Sequence, residues 1–190
     1  GKAKSYAERL FSFQTIGPLK EHDAKKAIRA PIEGERATIT EEALLAIVEA
    51  TEGYPYFLQE WGQHTWNQAA HSPITVEDVD KASISVISAL DDSFFRVRFE
   101  RLTHAEKEYL RAMAGLGKGP HRSGDIAEQL GRTVEHVAPT RANIIAKGMI
   151  YSPAHGDNAF TVPKFDEYML RVMPQLSPAI GKHKPGKTVK

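Results

Sequence analysis

The sequence predicts a mainly α fold: a helical bundle followed by a winged helix-turn-helix unit with a small β-hairpin. Three observations predict it. Apolar residues recur at helical spacing through four successive segments before residue 90. No strand-like alternation occurs over that half. After residue 101 the order becomes helix, helix–turn–helix, hairpin and helix, which is the order of a winged helix.

The first predicted helix opens at Pro18 and carries Leu19, Ala24, Ala27 and Ile28 on one face, with Asp23 near its positive end. Pro31 and Gly34 mark its end. Thr40 caps the second, whose stripe is Ala43, Leu44, Ile47 and Val48, and Gly53 stops it. Pro55 lies in the first turn of the third, where its missing N–H costs little, and that helix runs through Trp61 and Trp66 to Ala70. Ser72-Pro73 breaks the chain. Thr75-Val76-Glu77-Asp78 has the residue types of a capping box, and the fourth helix follows through Val79, Ala82, Val86 and Leu90.

Residues 91–101 read as a linker helix with Phe94, Phe95, Val97 and Phe99 as apolar points. Thr103 and Glu106 form a capping box for a helix burying Leu110, Met113 and Ala114. Residues 115–120 read as a loop. Ser123 caps a short helix over 126–130, stopped by Gly131, and a further helix runs to about Lys147. Residues 149–152 read as a strand, 155–158 as a tight turn, 159–162 as the return strand and 165–173 as a closing helix.

Composition narrows the function. Hydrophobic residues make up 41% of 190, enough for a packed core. The absence of cysteine removes disulfides, thiol nucleophiles and thiolate zinc sites, and it agrees with a cytoplasmic setting. No apolar run approaches the roughly 20 residues that span a bilayer, so no membrane role is expected. Gly1-Lys2-Ala3-Lys4-Ser5 leads into an amphipathic segment and does not read as a signal peptide. Residues 1–90 carry a net charge of −4 and residues 91–190 carry +5. Four lysines of the second half, Lys182, Lys184, Lys187 and Lys190, sit in the last ten residues, which leaves 91–180 at only +1. Bulk charge therefore argues only weakly for nucleic acid.

Catalytic signals are sparse. The eight histidines are scattered, with no i, i+4 pair of the zinc-binding kind, so no metal site is expected. No Gly-x-Ser-x-Gly elbow is present. Glu41-Glu42, Glu100 and Glu106 with Glu108 read as helix-surface charges. Residues 181–188 match the phosphate-binding loop pattern by letter. That loop needs a strand before it and a helix after it, whereas Pro178 precedes this run and only Val189 and Lys190 follow. No catalytic residue is assigned.

The most informative stretch is Gly53-Tyr54-Pro55-Tyr56-Phe57-Leu58, a helix start where glycine frees the backbone and proline fixes the entry angle. On the residues alone it is a stiff interhelix turn whose aromatic side chains fill a core. Together with Arg9-Leu10-Phe11, Ile16-Gly17-Pro18-Leu19, Asp23-Ala24 and Thr51-Glu52, however, it resembles the region after the nucleotide-binding core of archaeal and bacterial P-loop ATPases. These form the AAA+/STAND group, which includes origin-recognition-like proteins. In that group a helical lid with a Gly-x-Pro signature covers the nucleotide, and a winged helix commonly follows. Tyr56 stands where AAA+ proteins proper place a sensor arginine, so the resemblance leans to the STAND type.

The resemblance implies an order along the chain. Residues 1–18 would be a remnant of the upstream core, 19–90 the lid, 91–101 the linker helix, 102–176 the winged helix and 177–190 a disordered basic tail. It also implies roles. Gly53, Tyr54 and Pro55 would lie near the base or ribose of ATP or ADP, held with Mg by an upstream domain, and Arg9 would approach a phosphate or a neighbour. This chain alone would bind no cofactor. Its parent would be an ATPase, and the chain itself a non-catalytic switch segment whose partners are the upstream domain and a protein, a second copy or DNA.

For DNA, Lys118, His121, Arg122, Arg132, Arg141 and Lys147 are the phosphate-contact candidates. The outward positions of the recognition helix, Glu135, Ala138 and Pro139, offer no donor to base edges, and Pro139 bends or delays the helix. Two rival classes stay open: a free-standing winged-helix DNA-binding regulator and a protein-interaction scaffold.

Overall fold

The structure, a computed structural model, describes residues 17–176. Expectations placed on residues 1–16 and 177–190 lie outside the described residues: Arg9, the core remnant, and the basic tail with its loop-like run. The chain divides into two compact units, Gly1–Ile87 and Ser88–Lys190. The fold is mainly helical, as the sequence predicts, and a third strand joins the predicted hairpin in one antiparallel sheet.

In the first unit α1 spans Glu21–Gly34, α2 Glu41–Thr51, α3 Pro55–Gln68 and α4 Val76–Leu90. Most of the predicted stripes are buried: Ala24 and Ile28 on α1, Ala43, Leu44 and Ile47 on α2, Phe57, Leu58 and Trp61 on α3, and Val79, Ala82 and Val86 on α4, whereas Leu19, Ala27 and Trp66 are exposed and Val48 is half-buried. Each large side chain here contributes about 1.5–3 kcal/mol by leaving water. The Thr40 hydroxyl accepts the Ala43 N–H at 3.2 Å, as a cap should. A parallel bridge, Ile39 to Ile74, ties the two interhelix segments together.

Local differences have local reasons. α1 starts at Glu21 rather than Pro18, because Lys20 is extended and the Leu19 N–H is held by Gly53 O in the α2–α3 turn. It passes through Pro31 to Gly34, since a proline in the last turns forfeits only one bond. α3 ends at Gln68. Thr75 is half a capping box: its N–H and its hydroxyl both donate to Asp78 Oδ2 at 2.9 Å.

In the second unit a π-helical turn, Asp91–Phe95, is followed by α5 (Arg96–Glu100). There follow α6 (His104–Gly115), β1 (His121–Arg122), α7 (Ser123–Gln129), α8 (Val134–Ala146), β2 (Ile150–Tyr151), β3 (Asp157–Phe160) and α9 (Phe165–Val172). Sheet order is β1-β3-β2, with His121 opposite Asn158 and Ile150 opposite Phe160. The Thr103–Glu106 capping box forms in full. Phe95, Phe165 and Tyr168 make a buried aromatic cluster; the Phe95 and Tyr168 rings stack at 5.3 Å.

Residues 121–122, to which the sequence pattern assigns no element, form β1. Ser123 is not the cap of α7: Arg122 holds that position, and both the Ser123 N–H and its hydroxyl donate to Gly156 O at 2.9 Å. The hairpin strands are 150–151 and 157–160, so Asp157 and Asn158 belong to the return strand and not to the turn. Pro139 sits inside α8, which starts at Val134 without delay.

Candidate functional site

The helix entrance between α2 and α3 is built from Thr51 onward. Thr51 is buried; its hydroxyl donates to Ile47 O at 2.8 Å and accepts the Gly53 N–H at 3.3 Å. Glu52 and Gly53 then take left-handed φ values of 51° and 70°. Gly53 is buried, and its carbonyl accepts the Leu19 N–H at 2.9 Å. A Cβ on Gly53 would stand 2.4 Å from the Leu19 carbonyl oxygen. The glycine is therefore required twice, by φ and by the approach of a second backbone.

Tyr54 is the N-cap of α3 and Pro55 its first residue. The Tyr54 ring packs on Phe57 at 4.8 Å between centroids, and Phe57 is fully buried. Pro55 itself is exposed, and Leu19 and Tyr56 are each 37% exposed. The result is a rigid apolar edge on a buried glycine pivot. Among the described residues no His, Asp or Glu cluster fit for a metal ion occurs. The edge has the shape and chemistry to contact a flat apolar surface. Leu19 was not singled out as part of this site, and Ile16-Gly17-Pro18-Leu19 was its only trace in the sequence.

In the second unit the six candidate cations divide. His121 is buried and its Nε2 lies 2.8 Å from Gly117 O. Arg132 pairs with Glu108 at 3.2 Å. Arg141 donates from Nε to Asn158 Oδ1 at 2.5 Å, and from Nη2 to Ser152 Oγ at 3.0 Å and Asp157 O at 3.2 Å. Lys147 binds Glu106 at 2.6 Å and the Arg101 carbonyl at 2.9 Å. Lys118 and Arg122 are exposed.

Electrostatics follow from these pairs. Burial pushes the Glu106 carboxyl up, but the Lys147 ammonium and the Thr103 N–H outweigh it and hold the group below the usual carboxylate range. Glu135, exposed on α8, is held low by its own backbone N–H and by the Thr133 side chain. Ala138 and Pro139 are exposed beside it.

A domain family of unknown function, DUF8462, matches residues 92–169, from the π-helical turn to α9. The match lies wholly within the second unit. No curated protein matches the chain. Among solved structures, the RuvB Holliday junction branch migration motor of Thermotoga maritima shares 13% identity at a TM-score of 0.37, over 81% of this chain and 50% of that one. A point variant of that motor shares 14% at 0.38, over 86% and 51%. The chain thus spans about half the length of these structures. Among the described residues no helix is long and apolar enough to cross a membrane.

Proposed function

We propose that this chain is a non-catalytic regulatory segment of an ATP-binding switch protein. Its first unit is a lid that meets ATP or ADP, with Mg, held by an upstream nucleotide-binding domain. Its second unit passes the nucleotide state to a protein partner. The observation that carries the reading is the exposure of Pro55 above a buried Gly53. An exposed proline at the first turn of α3, beside the part-exposed Leu19 and Tyr56, offers a fixed apolar face of the kind a nucleotide base could cover. Ligand contacts at that edge would bias the lid between open and closed states.

A protein partner is favoured over DNA by one observation: His121, Arg132, Arg141 and Lys147 are each engaged by groups of their own unit. These contacts hold the four side chains against their own unit, so turning them toward a phosphate would compete with bonds already made.

The test uses the polypeptide encoded in frame with its upstream region. Fluorescent ATP should bind that longer protein, and Pro55→Gly should weaken binding about tenfold, the scale of one lost apolar contact at a nucleotide. This chain alone should neither bind ATP tightly nor hydrolyse it. ATP turnover by this chain, or an upstream region without a phosphate-binding loop, would sink the proposal.

A further inference from the structure

We infer that residues 17–20 are a latch that couples the incoming chain to the starts of α1 and α3 together, so that displacement at residue 17 is delivered to the Tyr54–Pro55 entrance. The inference stands on backbone geometry and goes beyond the nucleotide reading: it holds whatever lies against Pro55. Leu19 and Gly53, joined at 2.9 Å, are each the residue directly before a helix N-cap, Lys20 for α1 and Tyr54 for α3. One hydrogen bond therefore pins two helix starts to each other.

Nine residues further along both helices a second close approach occurs. A Cβ on Gly62 of α3 would meet Ile28 Cδ1 of α1 at 3.1 Å. The pairs 19 with 53 and 28 with 62 keep the same register, so α1 and α3 run parallel, side by side from one origin. The turn that receives the latch has no slack. Gly53 N–H reaches the Thr51 hydroxyl, Tyr54 N–H reaches Thr51 O at 2.9 Å, and Gly53 has no room for a side chain under the Leu19 carbonyl. A loose linker would absorb a pull at residue 17; this arrangement passes it to the first turn of α3.

Amide hydrogen exchange by NMR on the full chain tests the latch. Gly53→Asn is the informative variant, because asparagine tolerates a left-handed φ but carries the Cβ that the Leu19 carbonyl excludes. Leu19 and Tyr54 N–H should then exchange roughly tenfold faster, the scale of one lost hydrogen bond, with amides of the second unit unchanged. If this variant stays folded and Leu19 keeps its protection, the latch is refuted. If the first unit unfolds, Leu19→Pro decides, since it removes the donor and leaves the glycine. Faster exchange at Tyr54 and Leu58 in Leu19→Pro supports the coupling; unchanged exchange at both overturns it.

Discussion

Arg141 reaches from α8 to the buried amide of Asn158 on β3, and this pair fixes the wing against the helix. Asn158 Nδ2 faces the other way, donating to His121 O and Ser123 Oγ, both at 3.1 Å. One side chain thus joins β1, α7, α8 and β3. Asn158→Leu, close in size, should destabilise the second unit by about 2–4 kcal/mol, because it leaves several polar groups without partners. Urea unfolding followed by far-UV circular dichroism measures it; a loss under 0.5 kcal/mol would contradict the role.

Glu106 gives the second unit an acid limit. Its folded pKa is lowered, so its stabilising contribution is complete above the ordinary carboxylate value of about 4.3 and is lost as pH falls through the lower folded value. Wild type should lose stability between neutral pH and about pH 3 more steeply than Glu106→Gln, which has no carboxyl to protonate. Urea midpoints at several pH values, compared between the two, check the sign.

Pro139 interrupts α8 six residues after its N-cap, where it removes one backbone bond and crowds the preceding turn. It is exposed and fills no core. Pro139→Ala should raise the stability of the second unit by about 1–3 kcal/mol. A thermal midpoint that falls would mean that the proline has a packing role.

Lys118 and Arg122 are the exposed cations left to meet phosphate near β1. Without residues 181–190 the chain should show no affinity that distinguishes one duplex sequence from another. Any residual binding should be weak and fall steeply with salt. Fluorescence anisotropy with two unrelated duplexes at two salt concentrations reads this. Sequence discrimination would revive the DNA-binding regulator.

What was legible in the sequence was local. Thr40 and the Thr103–Glu106 pair announce helix starts because a cap bonds within three residues. β1 was hidden because a two-residue strand takes its identity from Asp157 and Asn158, more than thirty residues away. Ser123 was misread for the same reason: its hydroxyl prefers a distant carbonyl, Gly156 O, to the local role its residue type suggests. At the helix entrance Gly53 and Pro55 could be seen, but the Leu19 backbone that makes the glycine obligatory could not. The cations could be counted. That Glu106, Glu108 and Asn158 would claim three of them is a property of packing.

The sequence holds two tryptophans, and both lie on α3. Trp61 is sealed in the core and donates to Ser83 Oγ at 3.0 Å, whereas Trp66 is 41% exposed beside an open groove of about 370 Å³. Indole emission therefore belongs to the first unit alone, and aqueous iodide should quench one ring and spare the other. The protein carries its own optical gauge, unlabelled, on the very helix that begins at Pro55.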